Sequence, residues 1–149
     1  MAAPCSWSVI PCSLFTREDY KNGTVLRKIQ SLQTDWVVLA GFLWLVPDTI
    51  LANYPKRIIN IHPALLPKYG GKGMYGDRVH KEVLANGDEE SGISIHYVNE
   101  DFDSGEIIYQ ARFKIEKNDD LELVKFKGQQ LEHQYFPKII EQVLKKIKS

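Results

Sequence analysis

The chain has 149 residues, with 19 Lys and Arg against 19 Asp and Glu, so its formal net charge is zero. That length can bury one core of ordinary size, and a hydrophobic share of 44% excludes a mostly disordered chain. The charge balance removes the counterion-release argument for binding nucleic acid, and no apolar run is long enough to span a bilayer.

In chain order, the opening MAAPCSWSVIPCSLF is broken by Pro4 and Pro11 and has no positive leading segment, so a secretory leader is not expected. Cys5 and Cys12 match no zinc or redox spacing and read as small packed residues of a reducing compartment. A soluble, cytoplasmic domain is the working class. Val9–Phe15 reads as a strand or its tail. Thr16-Arg17-Glu18-Asp19 resembles a capping box, and Tyr20, Val25, Leu26, Ile29 and Leu32 form an apolar stripe interrupted at Asn22-Gly23. Trp36–Ala40 is a continuous apolar run, as in a strand buried on both faces, and Gly41 ends it. Pro47–Asn53 suits a short helix and Arg57–Ile61 a second buried strand. His62–Gly76 is too rich in Pro and Gly for a regular element, and a loop of that length in a compact domain is usually functional. Asp77–Ala85 reads as a helix closed by Asn86-Gly87. Alternation at Ile93, Ile95 and Tyr97 predicts a strand, Asn99–Gly105 an acidic turn, and Glu106–Ile115 another strand. Asp119 or Asp120 can cap a C-terminal helical region that Pro137 should kink or divide. The order implies an α/β sheet, mostly parallel, with an antiparallel pair in its C-terminal half. Ligands of such sheets sit beyond the carboxyl ends of the strands.

Asn60 and His62 flank Ile61 at such an end and, in extended backbone, project to the same side. An amide donor beside an imidazole can hold a carbonyl oxygen as it becomes an oxyanion, and histidine exchanges protons near neutral pH. Alone, the pair reads more readily as turn formers. Asp103 can orient and charge a histidine or take a proton from an amine, or be a solvated turn residue. His96 reads as packed and hydrogen-bonded, supporting the site from behind. His80, His96 and His133 lack metal-ligand spacing, so no metal is expected. Gly70-Gly71-Lys72-Gly73 is not a phosphate-binding P-loop and reads as a flexible lid. Trp44 follows the first apolar strand and can face a cleft.

Asn60–Tyr69 (NIHPALLPKY), Ser94–Val98 (SIHYV) and Asp101–Ile108 (DFDSGEII) together resemble the phosphoribosylglycinamide formyltransferase family; Val38–Phe42 and Glu132-His133 with Tyr135 and Pro137 extend the likeness. The resemblance implies a single formyltransferase domain over residues 1–149, with a Rossmann-like sheet and helices on both faces. It implies direct transfer of a formyl group from 10-formyltetrahydrofolate, as co-substrate, to the amine of glycinamide ribonucleotide in purine synthesis. Asn60, protonated His62 and Asp103 would be the catalytic trio. Phe42, Leu43, Trp44, Leu45, Val46, Val98, Asn99, Glu100 and Asp101 would line the folate cleft, with Trp44 where many relatives carry arginine. Gly41, Pro63, Gln129 and Glu132 would hold the nucleotide, Glu132 at its ribose hydroxyls. The expected partners are small molecules, with no nucleic acid or membrane, and the expected state is a monomer or homodimer. Relatives open with a strand, a Gly-Ser-Gly-x-Asn phosphate loop and a helix; no such segment precedes Val9, and the chain is expected to lack it. The alternatives are a non-catalytic folate-binding fragment, a formyl-folate hydrolase or a methionyl-tRNA formyltransferase.

Overall fold

The computed structural model describes residues 13–146; Cys5, Cys12 and the start of the expected Val9–Phe15 strand lie outside them. Ser13–Phe15 form no regular element. Chain contacts divide the molecule into two units, meeting at Gln33 and Thr34. The first holds α1 (Arg17–Lys21) and α2 (Thr24–Ser31). The capping box is formed: the Thr16 hydroxyl accepts from the Asp19 N–H at 3.1 Å, and the Asp19 carboxylate accepts from the Thr16 N–H at 2.8 Å.

The second unit runs β1 (Val37–Leu39), α3 (Asp48–Asn53), β2 (Ile58–His62), α4 (Asp77–Ala85), β3 (Glu90–Tyr97), β4 (Ile107–Lys114) and α5 (Leu121–Lys146). The strands form one sheet in the order β1-β2-β3-β4. Among the described strands it is mixed. β1 and β2 pair in parallel, and the expected antiparallel pair β3-β4 is present, but β3 also runs antiparallel to β2. The reason is the connection. Ser94 pairs with His62, so the chain leaves and re-enters the sheet at the carboxyl end of β2 and must run back.

One face packs on α5. Ile59 and Ile95, both fully buried, meet Ile139 and Val143 of that helix, with Trp36, Ile61 and Tyr97 packed around them. Truncating either isoleucine to alanine costs on the order of 2–5 kcal/mol. This burial also overrides Pro137. The helix is not divided there, because Phe136, Ile139 and Val143 on either side of the proline are packed against the sheet. Asp120, not Asp119, caps it, accepting from the Leu123 N–H at 2.9 Å. β1 also departs from expectation. It pairs only with β2 among the described strands, so Val38 is 42% exposed and the run is not buried on both faces.

The opposite face carries the alternate residues Asn60, His62, Ser94 and His96. The β3-β4 register slips between Ile95 and His96, beside the site, where a bulge re-aims side chains.

Candidate active site

Two residues of β2, one of β3 and one turn converge at the carboxyl end of β2. Asn60 and His62 do lie on one side of the strand, as the spacing predicts. Asp103 comes from the turn between β3 and β4, which is closed by the Tyr97 N–H donating to Glu106 O at 2.9 Å. Two residues of this turn are constrained by the backbone. Asp103 has φ +51°, a left-handed conformation that aspartate tolerates better than most side chains. At Gly105 a Cβ would stand 1.8 Å from the Tyr97 carbonyl oxygen, so only glycine lets the turn close.

Asp103 faces both histidines: Oδ2 is 3.4 Å from His62 Nδ1, and Oδ1 is 3.6 Å from His96 Nε2. Its Oδ2 also accepts from the Gly71 N–H at 3.2 Å. Burial by itself raises the Asp103 carboxyl, but His96, the His62 ring and the Gly71 N–H together hold it below the ordinary aspartate value.

His96 Nδ1 lies 2.8 Å from the Tyr97 carbonyl, which can only accept, so Nδ1 carries the hydrogen. Its Nε2 lies 3.1 Å from the Asn60 amide nitrogen and also faces Asp103 Oδ1. That contact takes at most one Asn60 N–H and leaves the amide a second donor. His96 thus touches both Asn60 and Asp103.

His62 is 4% exposed, and its Nε2 donates to the Tyr69 carbonyl at 2.7 Å. Burial pushes the ring below the ordinary histidine value, outweighing Asp103 and the Tyr69 carbonyl, which both favour the charged form. On balance the charged form of the ring is less favoured than in an ordinary histidine; with the Tyr69 carbonyl taking the Nε2 hydrogen, a neutral ring would carry its lone pair at Nδ1, on the Asp103 side. The reason is desolvation, which sequence spacing does not reveal.

The first half of the 63–76 loop is tied to the sheet. The fully buried Ser94 hydroxyl accepts from the Leu66 N–H at 2.9 Å and donates to Ala64 O at 2.7 Å. Gln110 Nε2 donates to Leu66 O and to the same hydroxyl. The loop supplies the Tyr69 carbonyl and the Gly71 N–H to the site, contributions of backbone that no side-chain motif signals.

Two cavities meet at this cluster. The larger, about 600 Å³, lies between the end of β2, the 71–77 segment and α5; the smaller is about 40 Å³. Asn60, Asp103, Phe42 and Phe102 line both, so the cluster stands in their shared wall. Gly41, Pro63, Gln129 and Glu132 line the large cavity together with His62. Burial raises the Glu132 carboxyl above its ordinary value, and nearby His133 opposes this. Trp44, Leu45, Val46, Val98, Asn99 and Asp101 surround the small one, with Trp44 edge-on to Phe42 at 6.0 Å between ring centroids. Leu43 opens instead on the large cavity, and exposed Glu100 lines neither. Asn99 Oδ1 is engaged within the turn, accepting from the Asp101 N–H and the Ser104 hydroxyl.

Sequence reasoning missed His80 and Lys125, which also line the large cavity. His80 is 7% exposed, and its Nδ1 is buried without a hydrogen-bond partner among the described residues. Burial and the neighbouring Lys125 charge push its ring below the ordinary value. Lys125 pairs with Asp77 at 2.9 Å. The i, i+3 spacing of Asp77 and His80 was a legible sign of a polar helix face; Lys125 had none. Among the described residues no group of three or more His, Cys, Asp or Glu is arranged to hold a metal ion, and no helix is long and apolar enough to cross a membrane.

The family described as "Formyl transferase" matches residues 4–140. The chain is 45% identical over 116 residues to the chloroplastic phosphoribosylglycinamide formyltransferase of Arabidopsis thaliana, covering 78% of this chain and 39% of that protein. It is 34% identical over 140 residues to the phosphoribosylglycinamide formyltransferase of Bacillus subtilis, covering 91% of this chain and 69% of the relative. The crystal structure of the Bacillus halodurans phosphoribosylglycinamide formyltransferase superposes with a TM-score of 0.79 at 34% identity, over 89% of this chain and 68% of that one.

Proposed function

The chain belongs to the formyl transferase family, and from that premise we propose that it transfers a formyl group from 10-formyltetrahydrofolate to the amine of glycinamide ribonucleotide. The match runs across both units, which supports reading them as one formyltransferase domain. The observation that carries the reading is the shared wall: Asn60 and Asp103 border both cavities, where two substrates can meet without a covalent enzyme intermediate.

The large cavity falls within the usual volume of a ligand pocket, about 300–1,000 Å³. It suits the nucleotide, with Glu132 accepting from ribose hydroxyls and Gln129 one turn before it on α5. The small cavity is the entrance to the folate side, and Trp44 and Phe42 must separate to admit a pterin.

In the proposed reaction the neutral amine attacks the formyl carbon and a C–N bond forms. The free Asn60 N–H donates to the oxygen as it becomes an oxyanion. The His62 Nδ1 lone pair takes the proton that the attacking nitrogen sheds, and Asp103 stabilises the imidazolium so formed. The new charge also favours the oxyanion. Collapse breaks the bond to the folate nitrogen, and that nitrogen receives the proton, so the balance closes without metal or redox partner.

The test is an acceptor comparison with 10-formyltetrahydrofolate as donor. Formyl transfer to glycinamide ribonucleotide is the expected result. Release of formate alone, transfer to charged initiator tRNA, or folate binding without turnover would each replace this reading with one of the alternatives.

A further inference from the structure

A second hydrogen-bond cluster stands behind the His62 loop, outside both cavities of the site. The Tyr69 hydroxyl donates to Asp88 Oδ2 at 2.8 Å and accepts from Asn86 Nδ2 at 2.9 Å. Lys68 Nζ reaches both Asp88 oxygens at 2.9 Å and lies 5.3 Å from the Tyr69 ring centroid. Neither Tyr69 nor Asp88 lines either of the two cavities. Yet the Tyr69 backbone has φ +56°, a conformation that a tyrosine adopts only when its surroundings impose it. It is this residue's carbonyl that takes the Nε2 hydrogen of His62 at 2.7 Å.

We propose that Tyr69 and Asp88 are positioning residues for His62: their side-chain bond pins the left-handed backbone at Tyr69, and that pinned carbonyl holds the imidazole with its hydrogen on Nε2 and its lone pair on Nδ1. The assignment rests on the reading of His62 as the proton acceptor. Without a carbonyl at Nε2, Asp103 would draw the single hydrogen of the neutral ring to Nδ1, and the lone pair would turn away from Asp103. The other titratable groups that act on the ring are His96 from β3 and His80 from α4, and neither bonds to Nε2.

The experiment uses the whole chain and three variants: Tyr69→Phe, Asp88→Ala and Asp88→Asn, the last keeping an oxygen to accept the tyrosine hydroxyl. Tyr69→Phe and Asp88→Ala should lower kcat on the order of tenfold while both KM values stay within about twofold, and Asp88→Asn should recover most of the loss. In 15N spectra the His62 ring, assigned by loss of its signals in His62→Gln, should move from the Nε2–H tautomer to a mixture in the first two variants. Unchanged kcat in both, or lost kcat with the His62 nitrogen signals unmoved, would overturn the proposal. If the parent chain transfers no formyl group, the functional reading fails, and the nitrogen spectra still decide the positioning claim.

Discussion

The two cavities that share Asn60 and Asp103 are built differently. The large one is walled by regular structure, α5 and the end of β2, and stands open at about 600 Å³. The small one is walled by the irregular 42–46 segment and the 98–103 turn and amounts to about 40 Å³. The helix that walls the large cavity is packed on the sheet through Ile139 and Val143. A segment whose Leu43, Trp44 and Leu45 are 50%, 38% and 44% exposed has fewer neighbours to hold it apart. The lesson is that the side proposed for the nucleotide is the roomier and is walled by regular structure, whereas the side proposed for folate is narrow and walled by irregular segments.

The largest expected effect lies in the wall common to both and in His62 beside it. Asn60→Ala, His62→Ala and Asp103→Ala should each lower formyl transfer by about a hundredfold or more. Near-parent turnover in any of them would remove that residue from the wall's chemistry. Glu132→Ala should act on the large cavity alone, raising the nucleotide KM by roughly tenfold or more and sparing the folate KM. An equal rise in both constants would break the division between cavities. Trp44→Ala should do the reverse more weakly, raising the folate KM several-fold through lost aromatic contact. Solved with folate bound, the protein should show the Phe42–Trp44 pair separated beyond its present 6.0 Å and α5 unmoved.

The smallest effect is on stability. Folding lowers the pKa of both His62 and His80, chiefly by burial, so below about pH 6.5 the unfolded chain binds more protons than the folded one. Stability from these rings is full above that value and falls with pH beneath it. His80→Gln should flatten the slope of Tm between about pH 5 and 6.5. In Asp103→Asn the His62 ring should titrate lower still, because the Asp103 charge is what favours its imidazolium; an upward shift would contradict the assigned cause.

Much of the fold was legible because its signals are local. The capping box at Thr16, the loop over 63–76, the end of α4 at Asn86-Gly87 and the alternation in β3 each depend on residues within a turn or two of one another. Pro137 does not divide α5, because its cost is local and what outweighs it is burial of α5 against strands far away in sequence. Val38 misled because an apolar run does not reveal whether a second strand lies beside it.

For this protein the sequence by itself determined the element types and the family, through side chains whose spacing is set within single strands and turns: Asn60 with His62, and Asp103 before Gly105. Only the tertiary structure decided how those groups are charged and what they face. Desolvation of His62, the carbonyl at its Nε2, the bond between Asn60 and His96, and the placing of one acidic wall between two cavities all arise between stretches of chain that meet only on folding. Electrostatics and burial depend on those distances, and distance through space is not written in order along the chain.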